Sequence, residues 1–398
     1  MGSIKDKVAI IGMGCTKFGE LWDKSSDDVI IDATYEAYQD AGIGQDDIQA
    51  AFVGTIFAGV TAGCLAEPLK MDYKPVSRVE NNCASAVEAL RYAAFAVASG
   101  MYDTVLAVGF EKCKDCGYNI LPNPQPDSLH PLYSTGITGP GCFALAATRY
   151  WHQYNITPEA GKRTLAKIAV KNHHNGSMHP KAHFQREITM EAVLMAPPIA
   201  WPLGLFDCCP TTDGGAAAIL TRADLAKNYR DDYVLIKGLG LSVGRINPWK
   251  GKCKSDVDIT FWTETDIAAK QAYEQAGIKD PQKEISLAEV HDCFTITELI
   301  NYESLGLCPV GQGTDYVNDG TFTITGRQPV NPDGGLKSFG HPIGASGLRM
   351  IYEVYKQLQG RAEYPQRQLK NPKLGLAHSQ GGVPGAFQAM VTVCGARD

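Results

Sequence analysis

Val8-Ala9-Ile10-Ile11-Gly12-Met13-Gly14 returns far downstream as Val234-Leu235-Ile236-Lys237-Gly238-Leu239-Gly240. A second stretch, Ala37-Tyr38-Gln39-Asp40-Ala41-Gly42-Ile43, returns in the same order as Ala272-Tyr273-Glu274-Gln275-Ala276-Gly277-Ile278. Each member of the first pair reads as a strand closed by a glycine turn. Each member of the second ends a helical pattern at a glycine, the residue that tolerates the positive φ of a helix C-terminus. A strand-like run follows each helix, at Ala51–Gly54 and Ile285–Val290. Small-residue turns then open apolar helices, Cys83-Ala84-Ser85-Ala86 and Gly344-Ala345-Ser346-Gly347. Val105–Gly109 and Leu374–Ala377 supply a last strand each. Two generic domains alike by chance would not agree in this order and at these Gly and Ala positions, so the chain reads as a duplicated α/β unit with layered sheets.

The segment from about Glu111 to Arg230 breaks the repeat. It is rich in Pro, His and Asn, with short helical stretches at Leu165–Val170 and Ala216–Leu225, and reads as an excursion covering something. The expected division is 1–110 with 213–232 as one half, 111–212 as a loop domain, and 233–398 as the second half. The 398 residues carry net charge −6 and 44% hydrophobic residues. That balance excludes a disordered chain and a global attraction to nucleic acid or an anionic membrane. Ala192–Phe206 is short and interrupted by Pro197, Pro198 and Pro202, which excludes a span. No signal peptide precedes Val8, and Asp6 breaks the myristoylation pattern begun by Gly2. The expectation is a cytoplasmic protein whose thiols are reduced.

Gly12-Met13-Gly14 fails as a dinucleotide fingerprint, because Lys17 stands where the third glycine is needed. Cys113-Lys114-Asp115-Cys116 has zinc-ribbon spacing but no matching second pair, so no metal is expected. His173, His174, His179 and His183 lie among Lys171, Asn172, Lys181 and Arg186, as a solvated or anion-facing surface would. Cys83 stands apart. Free amides at a helix N-terminus lower a thiol pKa and can later bind an oxyanion. A pseudo-twofold axis between the copies would bring it to His341, at the equivalent turn Phe339–Gly347. Thiol and imidazole are the minimum for an activated nucleophile, with a filler cysteine and a turn histidine as the alternative. His291-Asp292-Cys293-Phe294 follows a buried strand, and His378-Ser379-Gln380-Gly381-Gly382 follows the last one, where α/β folds place their sites.

Taken in order with Asn81–Ser85, Gly109–Lys112, Asp207–Gly214 and Gly340–Gly347, these motifs resemble the thiolases of the sterol-carrier-protein (lipid-transfer-protein) type from about Val8 to Val393. The resemblance implies two βαβαβαββ halves in α/β/α/β/α layers with a loop domain. It implies thiolytic cleavage of a 3-oxoacyl-CoA by coenzyme A, or the reverse Claisen condensation. Cys83 would carry the acyl group, and His341 would take the thiol proton. His291 would bind the enolate oxygen, and the amides of Cys83 and Gly381 would form the oxyanion hole. The commoner thiolases carry their acid/base cysteine in the final glycine-rich loop. Ser379 stands there in this chain, and Cys293 matches the alternative position. Cys209 would lie near the pantetheine arm. Coenzyme A enters as substrate, with no tightly held cofactor. The resemblance further implies a homodimer or homotetramer, and allows a small zinc-ribbon/OB-fold partner. A decarboxylating ketosynthase, a steroid side-chain retro-aldolase and a non-catalytic acyl-CoA binder are the competing readings. Cys293 speaks against the first, Cys83 against the second, and the full Cys83, His291, Cys293, His341 set against the third.

Overall fold

Along β1 (Val8–Cys15) every residue is buried, and its side chains enter two different cores. Val8, Ile10 and Met13 join one, while Ala9 and Ile11 join the other. The register with the neighbouring strand shifts between Ile10 and Gly12. That bulge makes Met13, rather than Gly12, continue the Val8 face. A strand covered on both faces has no solvated side to alternate toward, which is why the sequence reads as an unbroken apolar run.

The computed structural model describes residues 2–116, 138–244 and 258–397. The further strands are β2 (Ala50–Gly54), β3 (Val76–Val79), β4 (Thr104–Lys112), β5 (Pro198–Ala200), β6 (Leu203–Gly204), β7 (Asp213–Arg222), β8 (Val234–Val243), β9 (Leu287–Val290), β10 (Leu374–Val383) and β11 (Ala386–Ala396). β5 and β6 pair separately, and the other nine form one mixed sheet in the order β3-β2-β4-β7-β1-β8-β11-β10-β9. Outward from its centre the sheet runs β1, β7, β4, β2 on one side and β8, β11, β10, β9 on the other. The duplication is thus visible as a palindrome of strands. Where β3 lies beside β2, the second copy has a parallel bridge between Ala288 and Val330. The halves join through Ala9↔Leu235 and Ile10↔Val234.

Helices Ser85–Ala98 and Ser346–Leu358 share one core with strands of both halves, through Leu90, Ala94, Leu348 and Ile351. Helix Ser26–Ala41 covers the outer face of the first half, and Thr263–Ala276 that of the second. The order of layers is therefore helix, first half of the sheet, the two shared helices, second half of the sheet, helix. Among the described residues, no helix is long and apolar enough to cross a membrane.

Gly12-Met13-Gly14 and Gly238-Leu239-Gly240 lie inside β1 and β8, so the expected turns are strand interiors. Their glycines are a packing requirement. A Cβ on Gly14 would lie 2.1 Å from Ala33 O, and one on Gly240 1.8 Å from Ala268 O. The outer helix of each half therefore rests directly on strand backbone. Ala216–Leu225, read as helical from its alanines, is mostly β7. Helix propensity gives way because β4 and β1 flank the segment and every residue from Asp213 to Thr221 is buried. The excursion also holds longer helices than expected, Gly139–Gln153 and Pro158–Ser177. His173 and His179 are buried, not solvated, since the inner face of the second helix runs through Asn172, His173 and Asn175 and continues to His179. His174 is the exposed member of that group and pairs with Glu187.

Gly240→Ala should cost about 1–3 kcal/mol, the usual range for forcing an extra carbon into a packed core. Gly19→Ala, where the nearest atom to a new Cβ is 3.9 Å away, should leave stability unchanged. Urea denaturation of the two variants checks the pair, and equal midpoints would refute the close-contact account.

Candidate active site

The start of the Ser85–Ala98 helix is a tight, locked turn. Asn82 has φ +50°, a left-handed conformation that asparagine tolerates better than most residues. Ala84 N donates to Asn81 O and Ser85 N to Asn82 O, both at 3.0 Å. Asn81 N donates to Ser85 Oγ at 2.9 Å, and Asn82 Nδ2 reaches Gln388 Oε1 of β11 at 2.7 Å. This scaffold presents Cys83 from the first half.

The second half arrives at the same place without intervening side chains. A Cβ on Gly109 would meet Gly344 O at 2.5 Å, and one on Gly347 would meet Val87 Cγ2 at 2.3 Å. On β10, a Cβ on Gly381 would lie 2.7 Å from Cys83 N. Ser379 Oγ donates to Cys83 O at 3.0 Å. Cys209 N donates to Cys293 O at 3.0 Å, so Cys209 lies against the His291–Cys293 segment. Cys293 Sγ lies 3.5 Å from Thr297 Oγ1.

His291 and His341 meet edge to face, with ring centroids 5.2 Å apart. Their hydrogen-bond partners assign opposite tautomers. Ser346 Oγ donates to Pro342 O at 2.9 Å, so its hydrogen is used. His341 Nδ1, 2.8 Å from the same oxygen, is then the protonated nitrogen, and Nε2 is a free base. At His291 the amide of Gln380 donates to Nδ1 at 3.5 Å, leaving Nε2–H as a donor. Burial drives the pKa of His291 down to about 3 and that of His341 well below the usual range, with Arg349 adding to both shifts and the His291 ring to that of His341. Both imidazoles are neutral near pH 7.

The thiol differs from the sequence expectation. Burial pushes Cys83 up to about 12, with Glu111 and Glu80 adding to the rise against one backbone hydrogen bond. Desolvation outweighs the helix terminus, and Cys83 is a neutral thiol until a base takes its proton. Burial likewise raises Cys293. Asp292 accepts Leu336 N at 2.6 Å, Lys337 N at 3.1 Å and Asn172 Nδ2 at 2.8 Å, anchoring the segment between His291 and Cys293. Glu111 accepts the amides of Ile56, Phe57 and Ala58 at 2.8–2.9 Å and so fixes the loop after β2. Sequence reasoning did not single out Ser346, Asn82 or Asp292. Serine at the matching helix start in both copies, Ser85 and Ser346, was the available signal.

Cys113 is buried and Cys116 exposed. Among the described residues, the potential metal ligands that converge are His179, Glu353 and Glu363. Lys181 N donates to His179 Nδ1 at 3.1 Å, which leaves a hydrogen on Nε2 facing Glu363 Oε2 at 3.3 Å. Arg367 supplies the cation, 2.6 Å from Glu353 Oε1. This group is a filled ion network, and it ties the excursion to the Ser346–Leu358 helix.

Two family descriptions match the chain: "Thiolase, N-terminal domain" over residues 8–193 and "Thiolase C-terminal domain-like" over residues 248–394. An acetyl-CoA acetyltransferase of Methanothermobacter thermautotrophicus is 38% identical, covering 95% of this chain and 97% of its own. Sterol carrier protein 2 of Gallus gallus is 33% identical over 94% of this chain and 70% of its own. Among solved structures, the Ltp2-ChsH2(DUF35) aldolase superposes with TM-score 0.85 at 26% identity over 99% of both chains. The Acat5 thiolase from Ascaris suum in complex with coenzyme A gives 0.71 at 18% identity over 98% of this chain and 100% of its own, a likeness of fold. A protein with these relatives along its length is an enzyme of the acyltransferase class. The chain belongs to the thiolase family.

The resting state makes the pH dependence of Cys83 a direct check. The thiolate is the reactive form. Because burial raises the thiol pKa, alkylation of Cys83 by iodoacetamide should climb steadily with pH above neutrality, without an early plateau. A plateau already reached below about pH 7 would mean a thiolate–imidazolium pair of the kind that gives low-pKa cysteines, and would overturn the neutral assignment.

Proposed function

We propose that the protein is a thiolase that cleaves a 3-oxoacyl-CoA with coenzyme A, or runs the reverse Claisen condensation, through an acyl group on Cys83. The observation that carries this reading is the backbone of Gly381 lying against Cys83 N. That closeness supports a reading in which the amides of Cys83 and Gly381, one from each half, would stabilise a tetrahedral oxyanion. His341 Nε2 takes the Cys83 proton, and Sγ attacks the 3-keto carbon. The bond to the neighbouring carbon breaks, and its electron pair leaves as the enolate of a shorter acyl-CoA. The Nε2–H of His291 donates to the enolate oxygen, and Cys293 supplies the proton to carbon. The thiol of a second coenzyme A then gives its proton to the Cys293 thiolate and takes the acyl group. Cys83 leaves as a thiolate that recovers its proton from His341. The pantetheine end of coenzyme A is assigned to the side of Cys209.

The aldolase neighbour favours a second reading, carbon–carbon cleavage without an acyl-enzyme. Cys83, in its locked turn against the backbone of Gly381, supports the thiolase. The DUF35 protein named with that aldolase supports a small partner chain here too, which would bring its own zinc. A second copy is proposed along β3, at the end of the sheet, where the adjoining helix exposes Tyr92 and Phe95.

Intact-protein mass after mixing with acetyl-CoA should show one acyl adduct, absent in Cys83→Ala. An adduct surviving that substitution, or cleavage of substrate by Cys83→Ala, would favour the aldolase-type reading.

The acid/base is tested separately. Cys293→Ala should leave acylation of Cys83 nearly intact and slow thiolysis by roughly 10²–10⁴-fold, the span for removal of a general acid/base. Ser379, whose hydroxyl is committed to Cys83 O, should affect both half-reactions alike and modestly when replaced by alanine. Single-turnover acylation beside steady-state thiolysis separates the two. If Ser379→Ala proves the more selective for thiolysis, Cys293 is not the acid.

A further inference from the structure

A cavity of about 560 Å³ opens between the Pro158–Ser177 helix and the Gly313–Asn318 turn of helix, and Cys83, His291, Cys293, His341 and Gly381 do not line it. Its size is in the range that takes a small organic ligand. Ile168, Met190, Val317, Phe322 and Ile324 make its wall apolar. The charged residues on its lining are two lysines, Lys167 and Lys171, with no Asp or Glu among the lining residues.

Lys167 is exposed and bonded at 2.7 Å to the neutral amide oxygen of Asn318, so among the described residues its charge has no acidic partner. Asn175, fully buried, also lines the cavity and carries an Oδ1 with no hydrogen-bond partner. An apolar wall with an uncompensated cation at its rim is complementary to a molecule with a hydrocarbon body and an anionic head.

We propose that this cavity is a second binding site, for a carboxylate with a medium-length hydrocarbon tail. The tail would lie over Met190, Val317 and Phe322, and the carboxylate would bond Lys167. Lys171 connects the site to the rest of the molecule. Its Nζ lies 2.5 Å from Glu298 Oε1, and Asn172 Nδ2 bridges Glu298 Oε2 at 2.6 Å and Asp292 Oδ2 at 2.8 Å. A carboxylate that drew Lys171 away from Glu298 would therefore be felt at the residue between His291 and Cys293. This inference does not depend on the reaction assigned to Cys83.

The test uses decanoate below its micelle concentration and calorimetry on the full chain with Cys83 alkylated by iodoacetamide, so that binding at Cys83 is blocked. One decanoate should bind per chain, and decanol should bind at least tenfold more weakly. Lys167→Glu, at an exposed position that does not endanger folding, should weaken decanoate at least tenfold and leave decanol unchanged. Val317→Trp, which fills the cavity, should abolish both. The proposal is overturned if alkylated protein binds no decanoate, if decanol binds as well as decanoate, or if Lys167→Glu binds it like the unmodified sequence.

Discussion

Everything at the candidate site depends on two glycine contacts that let the halves pack closely around the two helix starts. Gly109 on β4 admits the carbonyl of Gly344, and Gly347 admits the side chain of Val87. These contacts pack the second half's helix start against the strand and helix of the first half. Packed interiors do not deform continuously, so a methyl group at either contact would have to be accommodated by moving a whole helix. The duplication is thus a means of setting two structurally equivalent helix starts, one following Cys83 and the other His341, into one core.

The same geometry explains the electrostatics. A site built at the centre of five layers is dry, and dryness holds Cys83, Cys293, His291 and His341 in their neutral forms. A neutral thiol beside a neutral imidazole with a bare Nε2 is a resting state that stores no exposed charge. The tautomers matter more than any ion pair. Ser346 assigns one ring as acceptor, the Gln380 amide assigns the other as donor, and the two imidazoles become chemically different although they touch.

Much of this was legible in the sequence, because a duplicated chain prints its own alignment. The two glycine-spaced strands, the two glycine-capped helices and the two small-residue helix starts place Cys83 and His341 just ahead of two related helices. Three things were not legible. β7 hides in an alanine-rich run whose burial between β4 and β1 overrides its helix propensity. His173 and His179 sit among charged residues in the chain but point inward from a helix with one buried face. The thiol shift depends on how completely the loops cover Cys83, and a local sequence carries no record of desolvation. Ser346 was in plain view, but its role follows from a hydrogen-bond count that needs atomic positions.

The excursion leaves the sheet at Lys112 and returns at Asp213, and those two residues are partners on one rung of the β4–β7 ladder. A buried ion pair between Lys112 Nζ and Asp213 Oδ2, at 3.1 Å, closes the neck. The covering segment is therefore a bag whose two ends meet at one rung, while contacts such as Asn172 to Asp292 and Lys181 to Glu36 hold its described body against the two halves. Closing a loop costs only slowly more as it lengthens, about 0.6 kcal/mol per doubling, so such a bag can be enlarged, trimmed or refilled while the rung stays fixed. Evolution can tailor what the enzyme admits without rewriting the barrel-free, glycine-spaced frame that holds its thiol.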